Sequence, residues 1–110
     1  EIASICEVGL PVTTVLDTRN LSKEEISLAI NSSLEAGTST IQNCNGFGGS
    51  VQKQDIKMLS DLSKGRCAIK AVGAIKTFSQ CIDVIEAGAS RIGTSYGLEI
   101  MNSLKKKKFK

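Results

Sequence analysis

The sequence has 110 residues, of which 41% are hydrophobic and 23% are charged, and this is the composition of one ordinary globular domain. No apolar run approaches the ~20 residues that a membrane helix needs, and the start carries no secretory signal pattern. The four cysteines form no C-x-x-C pair and histidine is absent, so a zinc site is not expected. We therefore predict a cytoplasmic protein with free thiols, no metal or cofactor and no membrane partner.

The net charge of +3 is concentrated at one end, because the last six residues, KKKKFK, supply five of the 14 basic side chains. The other nine face 11 Asp and Glu, which leaves the body of the chain at −2. A basic tail can attract nucleic acid, but the sequence has no second basic patch. We therefore predict a solvated tail over residues 105–110, a folded domain over residues 1–104, and no nucleic-acid partner.

The first residues have the pattern of a helix that is about to end. Ile2, Ile5 and Val8 have the spacing of one helix face, and Gly9 and Pro11 would terminate that helix. The chain also does not begin with Met. We interpret it as starting partway through a larger unit.

Four strands and four helices alternate along the rest of the chain. β-branched and apolar runs predict strands at Val12–Asp17, Ser39–Asn43, Cys67–Val72 and Ser90–Gly93. Helical spacing of apolar residues, with caps and closing glycines, predicts helices that begin after Asn20 or Ser22, span about Val51–Ser63, begin after Thr77 or Ser79, and run from about Tyr96 to Leu104. Ile82, Val84, Ile85 and Ala87 are the predicted apolar face of the third helix.

This alternation predicts an α/β fold with a parallel sheet and right-handed crossovers. Two helices end on the same Glu-Ala-Gly triplet, at residues 35–37 and 86–88, and a predicted strand follows each. This internal repeat is compatible with a segment of a barrel and with an open doubly wound sheet. Since a closing glycine is common at the end of any helix, the repeat does not decide between the two folds.

Lys70 stands out because it lies in the middle of the apolar run CAIKAV. Desolvation makes a lysine costly there, unless it has a function or its ammonium reaches water from the end of an edge strand. Strand alternation places Ala68 and Val72 on the same face as Lys70. On the preceding strand the same face would carry Gln42 and Cys44, so Gln42 and Lys70 are predicted neighbours.

The loops after the predicted strands are candidates for binding phosphate. In α/β folds, ligands bind at the carboxyl ends of the strands. Three of these loops, NGFGGS, GAIKT and GTSYG, are rich in small residues that expose backbone N–H groups ahead of a helix. None has the spacing of a P-loop or a dinucleotide fingerprint. The alternative is that the glycines only form tight turns.

Three segments together, IKAVGAIKT, IEAGASRIGTSYG and EAG-x4-Q-x3-GFG, resemble the C-terminal half of deoxyribose-phosphate aldolases. The resemblance runs from about Pro11 to Leu104. It implies that the chain corresponds to strands five to eight of an eight-stranded (β/α)8 TIM barrel, a half barrel of four parallel strand–helix units. It also implies a phosphorylated sugar or aldehyde as the ligand.

The resemblance also assigns roles to individual residues. The family is a class I aldolase that reversibly cleaves 2-deoxyribose 5-phosphate to glyceraldehyde 3-phosphate and acetaldehyde through a lysine Schiff base. Gln42 stands at the position of that lysine, in the stretch that matches the family's K-T-S-T-G-F motif. The second family lysine, which assists proton transfer, matches Lys70. The implied phosphate-binding residues are Gly46, Gly73, Ala74, Thr94 and Ser95.

Gln42 bears directly on activity, because an amide cannot form an imine. The resemblance therefore predicts a lyase that is weak or inactive, unless Lys70, which is desolvated among apolar neighbours, acts as the nucleophile. The alternatives are a non-catalytic phosphosugar-binding or assembly protein and a gene fragment with no independent role. An open four-stranded sheet also exposes two edges and one face, so we expect pairing with a second copy or with a separate N-terminal half.

Overall fold

A computed structural model describes residues 11–46 and 50–108. It contains four strands, β1 (Thr13–Val15), β2 (Thr40–Gln42), β3 (Ala68–Val72) and β4 (Arg91–Gly93). These alternate with four helices, α1 (Lys23–Glu35), α2 (Lys53–Ser63), α3 (Phe78–Ala87) and α4 (Gly97–Lys108). The helix predicted over Ile2–Val8 lies outside the described residues.

The four strands form one parallel sheet in the order β1-β2-β3-β4. Each of the first three helices therefore connects two neighbouring strands, as successive right-handed crossovers require. β3 is paired on both sides, which rules out the alternative that Lys70 lies on an edge strand. In the register of the sheet, Lys70 pairs with Gln42 on one side and with Arg91 on the other.

The core lies between the sheet and the helices. On the helix-covered face, Ile41, Ile69 and Ala71 are buried, and they pack in one cluster with the apolar stripes of the helices. Those stripes include Ile26, Ile30, Ile56, Leu59, Cys81 and Val84. This burial confirms the predicted alternation along β3, in which every second side chain packs against the helices.

Side-chain caps fix where two of the helices begin. Ser22 and Glu25 form a capping box at the start of α1, and Thr77 and Gln80 form another at the start of α3. Each hydroxyl accepts a hydrogen bond from the backbone N–H three residues later. The sequence left two candidates for each cap, and the structure selects Ser22 and Thr77.

Two sequence-based expectations differ from the structure. Ile85, predicted on the apolar face of α3, is 50% exposed, because the buried face of the helix is centred on Cys81 together with the predicted Val84 and Ala87. The last helix does not end at Leu104 but continues to Lys108. Lysine is a good helix former, and a cation near a helix C-terminus interacts favourably with the helix dipole. Among the described residues, no helix is long and apolar enough to cross a bilayer.

Replacing Ser22 by alanine is expected to lower the free energy of unfolding by about 1 kcal/mol. The Ser22 hydroxyl accepts from the Glu25 N–H at 3.1 Å, and the Glu25 carboxylate accepts from the Ser22 N–H at 2.9 Å. Urea unfolding followed by circular dichroism at pH 7 measures the loss. Ser32→Ala, at an exposed position inside α1, is the control and should leave stability unchanged or slightly higher.

The same box predicts a pH dependence. Hydrogen bonds from Ser22 lower the pKa of Glu25 in the folded state. A lowered carboxyl pKa stabilises the fold above the unfolded-state pKa, and this contribution is lost as the pH falls through the folded-state pKa. The stability difference between wild type and Ser22→Ala should therefore shrink on acidification. An undiminished difference in acid would show that the carboxylate adds nothing to the cap.

Candidate functional site

The sheet has one face without helices, which we call the open face. Its side chains come from alternate strand positions that share a register across the four strands. These positions are Thr13, Val15, Thr40, Gln42, Ala68, Lys70, Val72, Arg91 and Gly93. Val15 is 48% exposed there, so an apolar side chain of this face is in contact with solvent. Of the predicted inward positions, Gln42, Ala68, Lys70 and Val72 lie on this face, whereas Cys44 lies beyond the end of β2.

Gln42 and Lys70 lie side by side on the open face, as the strand pattern predicted. The Gln42 side-chain N–H donates to the Cys44 carbonyl at 2.6 Å, which turns the amide along its own strand. The Lys70 side chain lies over Gly93, where an added Cβ would be 3.0 Å from Lys70 Cε and 3.6 Å from Nζ. A glycine at position 93 therefore leaves room for the end of the Lys70 aliphatic chain.

Asn43 ties together the carboxyl ends of β2 and β3, a role that the sequence analysis missed. The Asn43 side chain is 2% exposed. It donates to the Val72 carbonyl at 3.0 Å and accepts from the Val72 N–H at 2.8 Å. The Asn43 carbonyl in turn accepts from the Thr18 N–H at 3.1 Å. The sequence shows only that a polar residue follows the strand. It does not show that Asn43 is buried, because the burial depends on the neighbouring loops.

A cavity of about 210 Å³ opens at the carboxyl ends of β3 and β4. The residues that the resemblance assigned to phosphate all line it, and the structure thus brings the three loops together. Its lining comprises Gly46, Val72, Gly73, Ala74, Ile75, Gly93, Thr94, Ser95 and Tyr96. Two loops that lead into helices therefore line one small cavity that is open to solvent.

The loop after β3 lines this cavity with an unusual backbone conformation. Gly73 has φ +130° and Ala74 has φ +49°, so two successive residues adopt positive φ. The Gly73 carbonyl is turned away and accepts from the Val51 N–H at 2.9 Å. Backbone N–H groups in such a loop, ahead of a helix, are of the kind that favours an anion. Ala74 is a strained residue for this conformation, because its Cβ is crowded where glycine has none.

The loop after β4 is held by the hydroxyl of Thr94. Thr94 Oγ1 donates to the Ile75 carbonyl and accepts from the Tyr96 N–H at 3.0 Å. The hydroxyl proton of Thr94 is therefore already used within the protein. The neighbouring Ser95 lines the same cavity. Thr94 thus joins the loop after β3 to the loop after β4.

Lys76 and Tyr96 form a contact at the rim of the cavity. The Lys76 Nζ lies 5.4 Å from the centroid of the Tyr96 ring, within the usual range of a cation–π interaction. Tyr96 lines the cavity, and Lys76 is exposed. The sequence showed both residues in candidate loops but gave no reason to pair them.

The cysteines of the described residues are free thiols, as predicted. Cys81 is buried and Cys67 is half-buried, and burial raises the pKa of both thiols. Cys44 differs, because its thiol donates to the Val72 carbonyl at 3.3 Å beside the Asn43 clamp. Cys6 lies outside the described residues. Within residues 11–46 and 50–108, no group of three or more Cys, Asp or Glu side chains is arranged to hold a metal ion.

Replacing Ala74 by glycine is expected to raise the free energy of unfolding by about 0.5 kcal/mol. Glycine removes the strain of φ +49°, and the extra freedom of the unfolded chain offsets part of that gain. Urea unfolding checks the sign. Ala36→Gly is the matched control, since Ala36 has ordinary helical geometry at φ −78° and should lose stability. Destabilisation in both variants would contradict the strain at Ala74.

No protein-family model matches the chain. Curated relatives do match it over nearly its whole length. It is 42% identical over 106 residues to the deoxyribose-phosphate aldolase of Microcystis aeruginosa, covering 96% of this chain and 47% of that protein. It is 39% identical over 104 residues to the enzyme of the same name from Crocosphaera subtropica, covering 94% and 47%. The chain resembles half of a deoxyribose-phosphate aldolase.

Solved structures also match nearly all of this chain and about half of their own length. An aldolase structure that is 31% identical superposes with a TM-score of 0.90, covering 98% of this chain and 50% of that one. A deoxyribose phosphate aldolase from Aeropyrum pernix, described as tetrameric, superposes with a TM-score of 0.87 at 24% identity, covering 94% and 47%. The latter likeness shows the fold alone. Together with the four parallel strands, these matches confirm the predicted half of a (β/α)8 barrel.

Proposed function

We propose that this chain is the phosphosugar-binding half of a deoxyribose-phosphate aldolase-type barrel. The observation that carries the proposal is the cavity at the carboxyl ends of β3 and β4, where the loops after these strands meet and Lys70 lies over the Gly93 wall. Backbone N–H groups in a positive-φ loop and the Ser95 hydroxyl suit a phosphate group. The open face beside the cavity would then hold the sugar carbons.

Gln42 is the feature that limits chemistry in this proposal. By the resemblance it stands at the Schiff-base position, and its amide lies one strand away from Lys70. An amide nitrogen has no basic lone pair with which to attack an aldehyde and lose water. The chain would therefore bind the phosphorylated ligand while its lyase activity is weak or absent.

Lys70 is the residue that would carry any remaining covalent chemistry. Its amine would attack the acetaldehyde carbonyl, and loss of water would give an imine. The side chain is only half-buried in this chain, and its aliphatic part packs on Gly93. Gln42 on β2 and Arg91 on β4 are its register partners on the open face.

Borohydride trapping tests this chemistry. The folded chain is incubated with acetaldehyde or 2-deoxyribose 5-phosphate, reduced, and analysed by intact mass and peptide mapping. We expect at most a trace of adduct, located on Lys70. A stoichiometric adduct on Lys70 would establish covalent aldolase chemistry moved by one strand, and would contradict the assignment of low activity.

The second candidate is a non-catalytic phosphosugar-binding or assembly protein. The hydrogen bond of the Gln42 amide to the backbone favours this candidate. That amide donates to the Cys44 carbonyl at 2.6 Å and is thus part of the scaffold. The discriminating measurement is calorimetric titration with 2-deoxyribose 5-phosphate and with inorganic phosphate. Binding without any trapped adduct supports this candidate. Loss of phosphate binding in Ser95→Asp, with folding retained, would locate the ligand in the cavity.

The site would also need the rest of a barrel around it. Of the open-face side chains, Val15 is 48% exposed, and both edge strands have only three residues. A second copy of the chain or a complementary N-terminal half would supply four more strands. Either assembly would exclude water from the surroundings of Lys70 and strengthen its interactions with substrate.

A further inference from the structure

The residues that line the cavity include neither an acid nor a base. The hydroxyl of Thr94 and the backbone N–H of Tyr96 are already used in hydrogen bonds within the protein. Two amines lie next to the lining residues without belonging to them, Lys70 beside Gly93 and Lys76 beside Tyr96. A bound anion would therefore have to obtain any positive charge from a side chain next to the cavity.

The ammonium of Lys76 is engaged with an aromatic ring. Its Nζ lies 5.4 Å from the centroid of the Tyr96 ring, which is a cation–π distance. Lys76 takes part in neither of the ion pairs between lysine and carboxylate that are found within residues 11–46 and 50–108. In that part of the chain, no carboxylate therefore competes with the ring for this ammonium.

The backbone around Lys76 is held on both sides. The N–H groups of Lys76 and Thr77 donate to Gln80 Oε1 at 2.7 and 3.1 Å. The carbonyl of Ile75, a residue that lines the cavity, accepts from the Thr94 hydroxyl. Lys76 is thus fixed directly beside the cavity, and its ammonium can leave the ring by rotation of the side chain alone, without movement of the loop.

We propose that Tyr96 is a specificity-determining residue, whose ring competes with an anion in the cavity for the Lys76 ammonium. The inference rests on the proposed phosphate binding. A phosphate attracts the ammonium through its full charge, whereas the ring attracts it only through the quadrupole of its π system. An anion therefore draws Lys76 off the ring, and loss of the cation–π contact lowers the affinity by about two- to fivefold. Since an uncharged ligand leaves the contact intact, Tyr96 narrows the preference for phosphorylated over unphosphorylated sugars.

A double-mutant cycle with inorganic phosphate tests the competition. Tyr96→Leu removes the π system but keeps an apolar side chain. In a chain that retains Lys76, this change should tighten phosphate binding about two- to fivefold by calorimetry. In a Lys76→Gln background the same change should leave the affinity unaltered, because no ammonium remains to be released.

Two single variants are the controls for this cycle. Tyr96→Phe keeps the ring and should bind phosphate within about twofold of wild type. Lys57→Gln removes a positive charge on the exposed surface of α2 and should likewise change the affinity by less than about twofold. Tyr96 and Lys76 are both exposed, so the variants should fold, which circular dichroism verifies.

The fluorescence of Tyr96 reports on the contact itself, since the chain has one tyrosine and no tryptophan. Phosphate should shift the emission of wild type toward that of Lys76→Gln, whereas Lys76→Gln should not respond, which controls for direct quenching. No gain in affinity from Tyr96→Leu, or an equal gain with and without Lys76, would overturn the competition alone. Absence of phosphate binding in wild type and every variant would overturn the proposed function as well.

Discussion

Replacing Gln42 by lysine is expected to convert trace trapping by borohydride into a stoichiometric adduct at position 42. The variant restores an amine at the place where the resemblance puts the Schiff base. The new side chain would stand beside Lys70 on the next strand, about 5 Å away at the backbone. The nearby ammonium would disfavour protonation of the new amine and leave more of it nucleophilic. Intact mass after reduction with acetaldehyde measures the gain.

Two further variants decide whether position 42 is special. Val15→Lys places an amine at the register partner of Gln42 on β1, on the same face but farther from Lys70. It should trap no more than wild type. Gln42→Lys/Lys70→Met should trap less than Gln42→Lys alone, because the assisting charge is gone. Equal trapping in all lysine variants would show non-specific modification and contradict the assignment of the Schiff-base position.

Replacing Gly88 by alanine is expected to lower the free energy of unfolding by about 3 kcal/mol. A Cβ at this position would lie 2.3 Å from Ser60 Oγ and 2.5 Å from Ser60 Cβ. Gly88 also has φ +125°, which side chains rarely adopt. Because α2 and α3 pack closely here, neither helix can move aside without disturbing the core. Urea unfolding measures the loss.

Gly65→Ala separates the two causes of this loss. Gly65 has φ +75°, but nothing lies within 4 Å of an added Cβ, so only backbone strain of about 1 kcal/mol is expected. Ser60→Gly/Gly88→Ala removes the clash and should recover part of the stability that Gly88→Ala loses. If Gly65→Ala and Gly88→Ala were equally harmful, contact with Ser60 would not be the reason for glycine at position 88.

Much of the fold followed from local patterns in the sequence. Period-two and helical spacing located all four strands and the helices between them, because each pattern reports which face of an element is buried. The pairing of Gln42 with Lys70 was predicted for the same reason, since alternation fixes which side chains share a face. The gathering of the phosphate-loop candidates followed from the parallel order, which places all strand carboxyl ends at one edge.

The remaining features depend on how neighbouring elements approach one another. Ile85 has helical spacing with the core residues, but the roll of α3 leaves it half-exposed. The buried Asn43 clamp needs Val72 from another strand, and the Lys76–Tyr96 contact needs two loops to meet. The use of the Thr94 proton by Ile75 is likewise a contact between loops. No pattern within a single segment of sequence carries such information.

The links between the loops have a consequence for the thermodynamics of ligand binding. Asn43 joins the loop after β2 to the end of β3. The Val51 N–H joins the loop after β3 to the residues before α2, and Thr94 joins the loop after β3 to the loop after β4. The walls of the cavity are thus preorganised before an anion arrives, and little conformational entropy remains to be lost on binding. Hydrogen exchange of these loops should consequently change little when phosphate binds, while the affinity should fall when Thr94 is replaced by valine.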